Sequence, residues 1–264
     1  PQDDYQKILD SVCNLIIDTA GKEKDITVGI GMPGSLNPKT GLVQVSNTKV
    51  LEGQDVKNHL ETKLGLKVKI ANDADCLALS EAIDGAGKNY NTVFAVILGT
   101  GVGAGYVVEK KLITGPNKLT GEWGQNPIPG PMDEYEKSVK RHCGRVGAIE
   151  VFLSGPGLEN WYEFKTSNHK STRDIVELFR SGNDIAMEIM DGYFERTARA
   201  FSSFVNILDP DVIVCGGGMS EINEIYDILP EKILPYIASE IFLTPIVKAE
   251  HGSSSGARGA AHLW

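Results

Sequence analysis

Short apolar segments that end in glycines or in an Asn-Asp pair constrain the fold most, and two of the three are followed by a helical pattern. Residues 26–30, 66–71 and 211–215 are predicted strands that run into GMPG, ND and GGGMS, respectively. Helical spacing of apolar residues predicts helices over 5–20 and 185–208. Strands that alternate with helices indicate an α/β protein with helices on both faces of a mixed sheet.

The remaining segments fit the same pattern. Further predicted elements are strands over 92–98, 104–108 and 245–249, helices over 74–82, 147–153, 172–180 and 253–262, a helix from about Ser220, and a loop over 114–131.

The composition of the chain limits the kinds of partner that we expect it to bind. The formal net charge is −9, so the chain lacks the basic excess that binds a nucleic-acid backbone, and we expect no nucleic-acid partner. Its apolar runs are too short to span a bilayer, and no signal peptide is visible, so we expect no membrane partner. Four widely spaced cysteines, Cys13, Cys76, Cys143 and Cys215, are expected to be reduced in a cytoplasmic protein.

Asn72 and Asp73 directly follow the predicted strand 66–71. A carboxylate at the carboxyl end of a strand lies at the sheet edge where α/β proteins bind ligands. Asp73 could there accept the proton of an acceptor hydroxyl during phosphoryl transfer. The alternative is that Asn72 or Asp73 only caps the next helix. The pair alone does not decide between these roles.

Two glycine-rich segments are candidate phosphate or nucleotide sites. GTGVGAG at 99–105 joins two predicted strands, and glycines there let backbone N–H groups converge on a phosphate. GGGMS at 216–220 precedes a predicted helix, whose N-terminus would favour an anion. The alternatives are a tight β-turn for the first segment and a simple helix entry, with Ser220 as N-cap, for the second.

A set of acidic and amide side chains, Glu122, Gln125, Asn126 and Glu150, could bind sugar hydroxyls. In a chain with 35 acidic residues, scattered surface acids are the commoner explanation. Without a family argument the set stays unassigned.

Taken together, seven segments resemble the ROK family of sugar kinases, and within it the bacterial fructokinase/mannokinase branch. They are, in family order and spacing, GIGMPGSLNPKTG, IANDADCLALSEA, VFAVILGTGVGAG, TGEWGQNP, CGRVGAIEVFLSG, VNILDPDVIVCGGGMS and HGSSSGARGAAHLW. The resemblance implies an actin-like (ribonuclease H-like) ATPase fold with two lobes around a cleft. It places residues 1–90 and 253–264 in the smaller N-terminal lobe and 91–252 in the larger C-terminal lobe.

The resemblance also implies a role for each matching position. Asp73 would be the catalytic base. The substrate-binding residues would be Gly34, Ser35, Asn47, Asn72, Glu122, Gln125 and Glu150. Thr100 and Gly101 would contact the phosphates of ATP, and Gly217 and Gly218 the adenosine. Mg²⁺ would accompany ATP. A homodimer is one implied assembly, although no stretch identifies an interface.

This chain departs from the family at its structural zinc site. The family's one histidine and three cysteines are here Gln125, Arg141, Cys143 and Ala148, which leaves one ligand of four. A lone thiolate cannot hold zinc in a closed tetrahedral site, so we expect no metal bound by these residues.

A second departure lies at the start of the chain. The family opens with a strand and a DxGGT phosphate loop, and this sequence begins after both. We therefore expect kinase activity from the complete protein and little or none from this chain alone. The family also contains repressors with a helix-turn-helix, and a non-catalytic sugar-binding module is a further alternative. Fructose or mannose is the expected substrate, with N-acetylglucosamine or glucose as the alternative.

Overall fold

The computed structural model describes residues 3–21, 23, 26–44, 46, 48–141 and 144–264. The helices of this part of the chain are α1 (Tyr5–Ala20), α2 (Val56–Leu64), α3 (Asp73–Ile83), α4 (Glu134–Ser138), α5 (Glu150–Leu153), α6 (Gly155–Thr166), α7 (Thr172–Arg180), α8 (Asp184–Leu208), α9 (Glu224–Lys232) and α10 (Ser255–Ala261). Its strands are β1 (Val28–Met32), β2 (Ser35–Leu36), β3 (Val43–Gln44), β4 (Val68–Asn72), β5 (Thr92–Leu98), β6 (Val102–Val108), β7 (Lys111–Leu112), β8 (Val212–Gly216) and β9 (Ile246–Lys248).

The larger sheet has the strand order β7-β6-β5-β8-β9. Strands β5, β8 and β9 are parallel, whereas β6 and β7 are antiparallel to their neighbours, so the sheet is mixed as predicted. Alternate side chains of β5 enter different cores: Phe94 and Val96 pack with α8, and Val93 and Ala95 pack with α3. Helices therefore cover both faces of this sheet.

Helix α8 contributes more buried residues to the core on one face than any other described helix. Tyr193, Phe194 and Phe201 are fully buried, and Phe204 stacks on Phe94 of β5 with ring centroids 4.1 Å apart. These aromatic side chains recur at helical spacing, so one face of α8 meets the sheet along its length.

The smaller sheet pairs β1 with β4 in parallel, with Met32 opposite Asn72 at its carboxyl end. Helices α1 and α2 cover it, and the β2–β3 hairpin follows β1. The C-terminal helix α10 packs directly on β1. The contact is so close that a Cβ at Gly29 would overlap the carbonyl oxygen of Ala260, so only glycine fits there. The division into lobes at residues 90 and 253 stays a prediction.

Helix α3 lies between α10 and the larger sheet, and glycines of β6 permit this close packing. A Cβ at Gly105 would lie 2.6 Å from Cβ of Ala78 and 2.7 Å from the carbonyl oxygen of Ala74. Strand β6 begins at Val102 rather than at 104, so Gly103, like Gly105, is a strand residue and not part of the turn. These glycines bring the first turn of α3 against β6.

Two local predictions were wrong. The predicted helix 147–153 begins only at Glu150. The segment after β8 is a 3-10 helix, Gly218–Glu221, and α9 begins at Glu224 with Asn223 in the N-cap position. Ser220 does not cap α9, because its hydroxyl donates to the carbonyl oxygen of Gly217 at 2.6 Å.

Candidate active site

A cleft of ≈ 630 Å³ lies where the two sheets present their carboxyl ends. Nine of the residues predicted to bind sugar or phosphate, or to act as base, line it: Gly34, Ser35, Asn72, Asp73, Thr100, Gly101, Glu122, Gln125 and Glu150. Asn47, the remaining predicted sugar ligand, lies outside the described residues. Gly217 and Gly218 are described but are not part of the cleft lining.

Asn72 connects the two strands of the smaller sheet at the cleft. Its side-chain nitrogen donates to the carbonyl oxygen of Gly34, 3.1 Å away on the turn after β1. Its side-chain oxygen accepts from the backbone N–H of Ala74 at 2.8 Å and so caps α3. The capping role left open by the sequence is therefore filled by Asn72, which leaves Asp73 available for other chemistry.

Asp73 is the first residue of α3, and its side chain is exposed to solvent within the cleft. Its Oδ1 accepts from the N–H of Ala74 at 2.9 Å. The surrounding cleft walls still remove part of its hydration, and this desolvation raises the pKa of Asp73, while the N–H groups of Ala74 and Asp73 oppose the rise. The carboxylate thus faces open space rather than the core, as a general base requires.

Asp75 is a cleft residue that sequence reasoning missed. It is half-buried and lines the cleft two positions after Asp73. Desolvation and then repulsion from Glu122 raise the pKa of Asp75 to about 7, with Lys118 opposing the rise. An acidic residue in the first turn of a helix ordinarily needs no functional explanation, because the helix dipole stabilises a negative charge there. The available signal was a second carboxylate in the motif ANDAD.

Glu122 begins a 3-10 helix, Glu122–Gln125, that is fixed against β6. Gly121 precedes it with φ +85°, and a Cβ there would overlap the carbonyl oxygen of Ala104. Desolvation and then repulsion from Glu150 raise the pKa of Glu122. Arg141 and a side-chain hydrogen bond from Gln125 oppose this rise. Gln125 thus interacts with the carboxylate that is predicted to bind sugar.

Glu150 is brought to Glu122 by pairing between two loops. The N–H of Ile128 donates to the carbonyl oxygen of Gly147 at 2.8 Å, and that of Ile149 to Asn126 at 2.9 Å. This pairing places α5 beside the 3-10 helix, so its first residue, Glu150, faces the cleft. There Oε1 of Glu150 accepts from Nε of Arg141 at 2.9 Å.

The two glycine-rich turns lie side by side, because Ile97 of β5 is paired with Gly216 of β8. In the first turn, the N–H of Gly99 donates to the carbonyl oxygen of Gly101 at 3.0 Å, and Thr100 is exposed. In the second turn, Gly217 and Gly218 are exposed, and a Cβ at Gly218 would point into open space. The turns adjoin at the carboxyl ends of parallel strands, an edge that suits a phosphate-bearing ligand.

The positions of the family zinc site carry other interactions here. Arg141 forms the ion pair with Glu150, and Ala148 forms an isolated bridge with Pro127. Cys143 lies outside the described residues. Among the residues that the structure describes, no three His, Cys, Asp or Glu side chains are grouped to hold a metal ion. The expected absence of zinc stays a prediction.

Two other sequence features can be compared with the described part of the chain. Cys13, Cys76 and Cys215 are buried free cysteines. None of the helices in the described ranges has the length and apolar character needed to cross a bilayer.

Known proteins resemble the chain over its whole length. It is 34% identical over 270 residues to an N-acetyl-D-glucosamine kinase of Haemophilus influenzae, an alignment that spans 100% of this chain and 89% of that protein. It is 37% identical over 268 residues to an N-acetyl-D-glucosamine kinase of Vibrio cholerae, again over 100% of this chain and 89% of the relative.

The fold comparison agrees with these relatives. A crystal structure of a ROK family glucokinase from Streptomyces griseus, in complex with glucose and AMPPNP, matches with a TM-score of 0.80 and 22% identity over 99% of this chain and 88% of that one. This confirms the predicted actin-like, two-lobe α/β fold. The model of the ROK family matches residues 1–264, and the chain therefore belongs to the ROK family.

Proposed function

We propose that the protein transfers the γ-phosphoryl group of ATP to a hydroxyl group of N-acetyl-D-glucosamine, with Asp73 as general base. The observation that carries this proposal is the exposed Asp73 carboxylate in a cleft that also holds Glu122 and Glu150. The predicted reaction class, an ATP-dependent carbohydrate kinase, is confirmed by relatives that are sugar kinases by name.

The choice of sugar rests on the relatives. Both named above are N-acetyl-D-glucosamine kinases at 34% and 37% identity, which supports the alternative substrate of the sequence analysis better than fructose or mannose. A neutral amino sugar also suits the cleft, since carboxylates accept hydrogen bonds from hydroxyls and amides both accept and donate. Glu122, Glu150, Asn72 and Gln125 provide these two kinds of group.

In this mechanism the acceptor hydroxyl is held near Asp73 and loses its proton to the Asp73 carboxylate. The sugar oxygen forms a bond to the γ-phosphorus while the bond from that phosphorus to the β,γ-bridging oxygen breaks, and ADP leaves. Desolvation raises the pKa of Asp73 and thereby makes it a stronger base than an ordinary aspartate. Asn72 keeps α3 capped throughout, so Asp73 need not serve as the cap.

The nucleotide is proposed to lie along the two glycine-rich turns. Thr100 and Gly101 line the cleft and would contact the phosphates, whereas Gly217 and Gly218, on the adjoining turn, would contact the adenosine. When bound with ATP, Mg²⁺ would neutralise charge on the phosphates.

A coupled assay on the full-length protein tests the proposal. ADP release is followed with ATP, Mg²⁺ and, in turn, N-acetylglucosamine, glucose, mannose and fructose. We expect the highest kcat/KM with N-acetylglucosamine. A higher value with fructose or mannose would overturn the substrate, and no turnover with any of the four sugars would overturn the kinase assignment.

A further inference from the structure

Arg141 stands at a position where the family carries a zinc ligand, yet its side chain faces the cleft. Its Nε lies 2.9 Å from Oε1 of Glu150, and the two side chains are only 12% and 23% exposed, respectively. An ion pair held this far from solvent is screened less than one at the surface. The pair therefore restrains the direction of the Glu150 carboxylate.

The second oxygen of Glu150 has its own partner. Oε2 accepts from the N–H of Val102, the first residue of β6, at 3.3 Å. A Cβ at Gly101 would lie 3.0 Å from the same oxygen, so Glu150 rests on the turn that is proposed to hold phosphates. The Glu150 carboxylate thus accepts one hydrogen bond from the Arg141 side chain and one from the backbone N–H of Val102, which follows the turn at residues 99–101. Each of its oxygens keeps a lone pair for a sugar hydroxyl.

The charge of Arg141 also acts on Glu122. Desolvation and then repulsion from Glu150 raise the pKa of Glu122, and the Arg141 guanidinium opposes that rise. Asp73 adds to the repulsion. The Arg141 guanidinium therefore acts on two carboxylates of the cleft that are both predicted to bind sugar.

The backbone of Arg141 is fixed as well. Its N–H donates to the carbonyl oxygen of Arg145 at 2.8 Å, and Lys140 forms an isolated antiparallel bridge with Val146. Backbone pairing within the loop thus fixes the position from which Arg141 reaches the cleft. The Arg145 side chain, in contrast, is exposed.

We propose that Arg141 is a positioning residue that holds Glu150, and with it Glu122, in the geometry that binds the sugar. This inference rests on the proposed function, since it assumes that these carboxylates bind the substrate. Arg141 has no assigned contact with the transferred group. Its loss should therefore weaken sugar binding much more than it lowers kcat.

Calorimetric titration with N-acetylglucosamine, without nucleotide, tests this in the full-length protein. Arg141→Met should raise the Kd about 10–100-fold, as expected from losing one charge-assisted hydrogen bond, while kcat at saturating sugar falls less than about 3-fold. Arg145→Met, in the same loop, is the matched control and should match the wild type. Thermal unfolding checks that each variant folds, and Arg141→Gln replaces the methionine variant if that one does not.

A double-mutant cycle separates positioning from a general loss of structure. If Arg141 acts through Glu150, the Arg141→Met/Glu150→Gln variant should bind sugar no more weakly than Glu150→Gln alone. Fully additive losses, or an Arg141→Met variant that binds like Arg145→Met, would overturn the inference while leaving the kinase proposal intact. A wild-type protein that neither binds nor phosphorylates any hexose would instead overturn the proposed function, and the role of Arg141 with it.

Discussion

Replacing Asp73 with asparagine removes the proposed base while keeping a side chain of almost the same size and shape. The structure indicates that α3 will stay intact, because Asn72 caps it at 2.8 Å from the N–H of Ala74 and the new amide oxygen can accept from the same N–H. The expected loss is therefore chemical. General-base catalysis contributes ~10²–10⁴-fold, so kcat should fall by that factor, which corresponds to ~3–5 kcal/mol of activation free energy.

The assay compares kcat by coupled ADP release with sugar affinity by calorimetry. We expect the Kd for N-acetylglucosamine in Asp73→Asn to stay within about 10-fold of the wild type, since the cleft keeps its other polar groups. Asp75→Asn is the matched control, because it makes the same substitution in the same turn of α3 and the same cleft. An Asp73→Asn enzyme with near-normal kcat, or an Asp75→Asn enzyme that loses as much, would refute the reasoning.

Three further outcomes are expected. The acid limb of the pH profile of kcat/KM for the sugar should lie above the ordinary Asp pKa of ~3.9, because desolvation raises the pKa of Asp73 in the free protein and the base must be ionised. A limb at or below ~4 contradicts this. Glu136→Gln should lower the free energy of unfolding in urea by ~3–5 kcal/mol, because buried Glu136 pairs with Arg196 and Arg199 at 2.9 Å, whereas exposed Glu134→Gln should change it little. Metal analysis of the purified protein should find well below one zinc per chain, and stoichiometric zinc would contradict that expectation.

Strong local patterns predicted most of the secondary structure. The helices Tyr5–Ala20 and Thr172–Arg180 have the predicted bounds, since their apolar residues recur at helical spacing between clear caps. A glycine misled the prediction at the start of β6, because Gly103 belongs to the strand and not to the predicted turn. Glycine is typical both of turns and of strands that another element approaches closely, so the sequence does not distinguish the two. The packing of α3 does, since a Cβ at Gly103 would lie 3.5 Å from Cβ of Ala74.

The candidate site was predictable where the sequence places chemistry beside a strand end. Asn72 and Asp73 follow a strand, and the structure puts both at the cleft. The division of roles between them was not predictable, because either can cap a helix, and hydrogen-bond geometry shows the cap at Asn72. Arg141 was noted only as a missing zinc ligand, and nothing in its sequence neighbourhood indicates the pairing with Glu150.

The sequence by itself determined the alternation of strands and helices, the acidic balance and the motifs that identify the family, since none of these depends on which distant residues meet in space. Only the tertiary structure decided which charges meet. Glu122 and Glu150 are 28 positions apart, and pairing between the loops at 126–128 and 147–149 brings them together. Desolvation and repulsion depend on distances through space, so the raised pKa values of Asp73, Asp75 and Glu122 arise only once the cleft has formed.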